Sequence, residues 1–164
     1  MNSPQKNFFK NDSLSLDAFA LGFTLVGGGA RVNWSGEGNL LTASYPNGNS
    51  WVARAKDHLK PSVATVTAFA IGLKNSFLTR HGLRVQQKAI SSGTATSWPS
   101  TSCSLDYGYR LLSGGGETRW FSDGQLLTGS FPENRHTWIA SSKDHNSPDL
   151  GFVTAHCVGI SFVN

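Results

Sequence analysis

The sequence predicts an all-β protein whose two halves repeat one another with pseudo-twofold symmetry. Three observations carry that prediction. Of 164 residues only 15% are charged and three are Glu, whereas 18 are Gly and 33 are Ser or Thr. Helix formers are therefore scarce, and strand and turn formers abundant. Apolar residues alternate over short stretches instead of recurring at helical spacing. Finally, residues 22–73 align with residues 108–160 once a single residue is inserted.

The repeat is dense. At an offset of 86, Gly28, Gly29, Trp34, Gly38, Leu40, Leu41, Thr42, Ser44 and Pro46 recur as Gly114, Gly115, Trp120, Gly124, Leu126, Leu127, Thr128, Ser130 and Pro132. Past the insertion the offset is 87, and Trp51, Ala53, Lys56, Asp57 and His58 recur as Trp138, Ala140, Lys143, Asp144 and His145. More than a third of the 52 aligned positions are identical. The extra residue falls in 133–137 against 47–50, segments of turn formers where added length is tolerated. One supersecondary unit built twice follows. The expected organisation is a segment 1–18, unit one at 19–73, a connecting strand and loop at 74–104, and unit two at 105–164, all in one compact domain.

Within a unit, a strand at 23–26 leads through Gly27-Gly28-Gly29 into 30–34, and a turn at 35–38 precedes a strand at 40–45. The strand 51–56 puts Trp51, Ala53 and Ala55 on one face and Val52, Arg54 and Lys56 on the other. The stretch 64–73, apolar on both faces, reads as a central strand. Glycines inside strands mark bulges or close backbone approach. A phosphate-cradling loop would need a helix after Gly29 or Gly116, and none is expected there. Residues 83–91 read as a strand leading unit two, followed by a loop over 92–102. Ahead of unit one stands only a poor counterpart, Phe8-Phe9 and 14–16.

Net charge is +4 and the pI about 9.3, but the cations are scattered. The densest group, Arg80, Arg84 and Lys88, reads as a solvated strand edge and not as a nucleic-acid stripe. No apolar run approaches the roughly 18 to 20 residues that span a bilayer, so integral membrane insertion is not expected. The first residues lack the apolar core of a signal peptide. Neither Cys has a further Cys or His at zinc-ligand spacing, so no metal or other cofactor is expected.

Lys56-Asp57-His58 and Lys143-Asp144-His145 are the leading candidate site, because Asp and His bind sugar hydroxyls and Lys meets an acidic group. The plainer reading has the Asp capping a turn and the Lys blunting a sheet edge. Trp51 and Trp138 read as core. Trp34 and Trp120 read either as core or as stacking platforms, with Asn39 and Gln125 as polar companions. Adjacent Asp and His on a strand point to opposite faces and form no dyad unless the chain turns there. Ten acids nominate no obvious carboxylate pair either, so no enzyme is predicted.

The strings at 22–30 (GFTLVGGGA) and 39–46 (NLLTASYP), with Trp51 and 65–71 (TVTAFAI), resemble a family of mostly secreted, β-rich bacterial proteins with tandem GGGA-type repeats. A fainter similarity of rhythm extends to β-prism proteins, namely the vitelline membrane outer layer protein and jacalin-type lectins. The resemblance implies sheets packed as a β-prism or β-sandwich. It also implies a disulfide, since Cys103 and Cys157 occupy the family's two Cys positions. That bond would close a loop of about 54 residues and stabilise by roughly 3 to 4 kcal/mol. Two reduced, buried cysteines are the alternative. Unit one departs from the pattern, with Ala70 opposite Cys157 and no Cys near Asp17. The implied function is a secreted, non-catalytic lectin with one site per repeat, gaining avidity on glycans of a cell surface. The alternative is a secreted toxin or a membrane- or receptor-binding factor; homo-oligomers are left open.

Overall fold

The computed structural model describes residues 14–17, 22–58 and 60–163. It is an antiparallel β protein. The strands are β1 (Leu14–Asp17), β2 (Phe23–Trp34), β3 (Asn39–Asn47), β4 (Ser50–Asp57), β5 (Ala64–Lys74), β6 (Leu83–Ser91), β7 (Ser100–Ser104), β8 (Arg110–Trp120), β9 (Gln125–Pro132), β10 (Thr137–Asp144) and β11 (Gly151–Phe162). Three sheets result, ordered β1-β4-β3-β8-β11-β6, β7-β10-β9 and β2-β5. The largest takes strands from both repeat units.

Strand pairs that the sequence repeat aligns have the same partners and the same irregularities. β2 pairs β5 as β8 pairs β11, with Val26 and Leu112 as the respective extra residues of a bulge. β3 pairs β4 as β9 pairs β10, with Thr42 and Thr128 bulged. β1 pairs β4 with Leu16 opposite Trp51, and β7 pairs β10 with Cys103 opposite Trp138. The pairing is not symmetric between the units, however. Ala43 and Ser44 of β3 pair with Glu117 and Gly116 of β8, whereas β9 and β2 end their sheets unjoined.

Three local expectations are corrected. The triple glycine does not divide a strand, because β2 runs unbroken from Phe23 to Trp34. The loop expected over 92–102 gives way to β7, which begins at Ser100; one side of this edge strand is hydrogen-bonded and the other free, so its Ser- and Thr-rich sequence is tolerated. A single short helix, α1 (Asn75–Arg80), turns the chain from β5 into β6, burying only Leu78. Of the poor counterpart ahead of unit one, 14–16 fall in β1, while Phe8-Phe9 lie outside the described residues.

The glycines serve the core. A Cβ on Gly28 would stand 2.3 Å from the Trp51 ring, and one on Gly114 would stand 2.3 Å from the Trp138 ring. Each indole thus lies flat on a backbone that has no side chain, and its Nε1 donates to Ser44 Oγ or Ser130 Oγ, at 3.0 Å in both. Around Trp51 pack Leu25, Ala53 and Ala68. Around Trp138 pack Cys103, Ala140, Val153, Ala155 and Cys157. The expected core role of these two tryptophans is met. A third cluster, Ala43, Tyr45 and Val52, lies on β3 and β4 where β3 meets unit two.

Cys103 and Cys157 form a disulfide between β7 and β11 and are fully buried. It ties the three-stranded sheet to the six-stranded one and speaks for a non-reducing environment.

Candidate functional site

Both Lys-Asp-His strings sit where a strand ends, and the two ends converge. β4 terminates at Asp57 and β10 at Asp144, after which each His turns back. His58 N–H donates to the Gly38 carbonyl at 3.1 Å, and His145 N–H donates to the Gly124 carbonyl at 3.2 Å. Both glycines hold left-handed φ (120° and 114°), which lets the β2–β3 and β8–β9 turns present those carbonyls. The imidazoles then meet, centroids 4.5 Å apart. His58 Nδ1 and His145 Nε2 are buried without a hydrogen-bond partner among the described residues.

The two halves diverge in what surrounds this pair. Asp57 acts partly as the turn cap expected of it, accepting from Asn39 Nδ2 at 3.0 Å and Ser62 N–H at 3.1 Å. The corresponding turn in unit two is capped instead by Asp149, which accepts from the N–H groups of Phe121, Ser122 and Gly124. Burial raises the Asp149 carboxyl, but those N–H groups outweigh it and hold it below the usual aspartate value. Gln125 is corrected from ligand companion to core. It is fully buried, its amide donates to the carbonyls of Thr96 and Asp149, and it accepts from Ser142 Oγ. Asn39 is half-buried against Asp57.

Lys56 crosses from unit one to unit two. Its Nζ donates to the Asp123 carbonyl and stands 5.7 Å from the centre of the Trp120 ring. Burial lowers the Lys56 pKa, opposed by Asp123, Asp149 and Asp57. The result is a cleft of about 440 Å³ between β4 and the β8–β9 turn. Arg54, Lys56 and Asp57 line one side, Trp120, Ser122 and Asp123 the other, with Thr42 at the base. Arg54, Ser122, Asp123 and Thr42 escaped the sequence reading because only the β3–β8 pairing brings them together.

The second string has other company. Lys143 Nζ lies 4.6 Å from the centre of the Trp98 ring, beside a smaller cleft of about 290 Å³ lined by Asp144, Asn146 and Ser147. Trp34, the counterpart of Trp120, is 57% exposed and has no lysine from another strand over it. Among the described residues no group of His, Cys, Asp and Glu is placed to hold a metal ion, and no helix is long and apolar enough to cross a membrane. Comparison of the chain with protein-family models, with characterised proteins and with solved structures yields no match.

Proposed function

We propose that this chain is a non-catalytic carbohydrate-binding protein, a lectin, acting outside the cell. Its principal site is the cleft between Lys56-Asp57 and Trp120. The observation that carries this reading is the chemistry of that cleft: an indole wall, the carboxylates of Asp57 and Asp123, the hydroxyls of Ser122 and Thr42, and the cations Lys56 and Arg54. A sugar presents an apolar ring face to an aromatic and hydroxyls to carboxylates, which is this pairing. The two histidines position the cleft and do not touch the ligand, since His145 is buried and both rings face each other. The disulfide supports an extracellular setting.

A glycan array followed by titration of the best hits, monitored by tryptophan fluorescence, tests the proposal. The wild type binds, Trp120→Ala weakens binding by about tenfold or more, equal to 1.4 kcal/mol, and Trp34→Ala leaves it unchanged. A blank array with millimolar sugar in solution sinks the reading.

One observation favours a second reading, a membrane- or receptor-binding factor. Trp34, Val63, Trp98, Phe121 and Leu150 are each more than half exposed and all sit at strand ends or in loops around the His58–His145 contact. An apolar crown of this kind marks an interaction surface. Dye release from liposomes by the wild type, reduced in Phe121→Ser, would favour it over the lectin.

A further inference from the structure

The chain leaves one junction made and the corresponding junction unmade. Inside the chain, β3 of unit one pairs β8 of unit two, Ala43 opposite Glu117 and Ser44 opposite Gly116. The close approach requires glycine, since a Cβ on Gly115 would stand 2.2 Å from the Ser44 carbonyl oxygen. Tyr45 stacks on His156 across the seam, centroids 4.4 Å apart, and both are buried. The corresponding partners are β9 of unit two and β2 of unit one. β9 ends the three-stranded sheet and β2 ends the two-stranded one. Joined, they would give β7-β10-β9-β2-β5, the order already present as β1-β4-β3-β8-β11.

The residues at these free ends fit that junction. Gly29, the counterpart of Gly115, has nothing within 4 Å of an added Cβ, so no contact within the chain requires glycine there. Phe131 and Phe69, the counterparts of Tyr45 and His156, are 48% and 42% exposed. Ile71 is 60% exposed, whereas its counterpart Val158 is fully buried. Two complementary halves of one seam thus face solvent at different places on the same chain.

We infer that a second copy of this chain occupies the bare face of β2 and β5, adding its β9 edge to β2 in the register of the internal seam. Ser130 of one copy lies opposite Ala30 of the next, Gly129 opposite Arg31, and Phe131 packs on Phe69. The contact is heterologous, because the two patches differ, so it propagates into a ring or a filament. It also completes a second cleft, setting Lys143 and Asp144 of one copy against Trp34 of the next as Lys56 and Asp57 stand against Trp120. That last consequence rests on the proposed function; the assembly does not.

Sedimentation velocity over a concentration series, with three proteins, tests the inference. The wild type grows beyond its 17.6 kDa monomer mass. Gly29→Val, whose side chain enters open space in the free chain and blocks an incoming strand, remains monomeric. Phe131→Arg, altered only at the other patch, remains monomeric too. Mixed, these two variants form a one-to-one dimer and stop, because each retains the patch the other lacks. Circular dichroism checks that both fold, and Gly29→Val stands alone if Phe131→Arg does not. A monomeric wild type at the highest concentration overturns the inference. So does an oligomer that Gly29→Val leaves intact. A monomeric wild type destabilised by Gly29→Val would assign the face to the chain's own residues 1–13 and overturn it as well.

Discussion

The imidazoles of His58 and His145 stand with centroids 4.5 Å apart and planes tilted by 41°, each at the end of a strand from a different repeat unit. Two identical tripeptides, 87 positions apart in the chain, therefore share one buried contact. Such a contact tolerates neutral rings and resists charged ones. Burial, then His58, Lys56 and Lys143, lower the His145 pKa from 6.5. Between that lowered value and 6.5 the unfolded chain binds more protons than the folded one, so stability rises with pH in this window. Thermal melts should show a plateau above pH 7 and a falling midpoint as the pH drops below 6.5. His145→Gln should flatten that slope. An unchanged slope would separate the contact from acid sensitivity.

Glycine at 114 and glycine at 29 predict opposite outcomes for the same substitution. Gly114→Ala drives a methyl group to 2.3 Å from the Trp138 ring and 2.4 Å from the His156 carbonyl. Neither yields cheaply, and a loss of about 3 kcal/mol is expected in denaturant titration. Gly29→Ala meets nothing within 4 Å and should be neutral, or stabilise by up to about 1 kcal/mol through the unfolded state. Equal costs at the two positions would refute the indole-on-backbone account.

The disulfide predicts an asymmetry between the units. Cys103 and Cys157 are 54 residues apart, and in unit one the positions hold Leu16 and Ala70. Replacing both cysteines with Ala should cost about 4 kcal/mol by chain entropy. At this chain length that lowers the melting midpoint by roughly 10 °C. Reductant should reproduce the shift in the wild type and leave the double variant unmoved. No effect of reductant on the wild type would mean that the bond contributes no stability.

Much of the fold was legible because strands announce themselves by alternation and the repeat doubles the evidence. Trp51 and Trp138 could be placed in the core from their matched positions beside short side chains. The candidate site was legible only in part. Lys56, Asp57, Lys143 and Asp144 do line clefts, yet their surroundings differ because β3 joins β8 while β9 joins nothing, and no local pattern encodes that choice. Gln125 looked like a polar companion to an exposed ring. Its burial follows from the loop at 96–97 and from Asp149 closing over it, contacts more than 20 residues distant. β7 hid in a Ser- and Thr-rich stretch for a related reason, since its strand character comes from pairing with β10 and not from apolar periodicity.

Glu117 offers the sharpest test of the seam between the units. It is one of only three glutamates and is almost fully buried on β8, opposite Ala43 of β3. Arg54 from unit one and Arg119 from unit two both reach it at 3.3 Å, and His156 Nε2 lies 3.8 Å away. Arg54 also donates to Tyr45 Oη at 3.1 Å. Burial raises the carboxyl, but His156 and Arg119, with Arg54 behind them, outweigh it and leave the folded pKa below 4.5. The stability this contributes is present above pH 4.5 and is lost as the pH falls through the folded value. Breaking a buried ion pair commonly costs 3 to 5 kcal/mol. Here the arginine side chains are 40% and 71% exposed and rehydrate when the carboxylate is removed. Glu117→Gln should therefore cost only about 2 kcal/mol at pH 7, and the gap to wild type should close below pH 4. Arg54→Met should cost less than Glu117→Gln, because Arg119 and His156 still face the carboxylate. A larger loss for Arg54→Met would mean that the guanidinium works through Tyr45 and packing rather than through the charge.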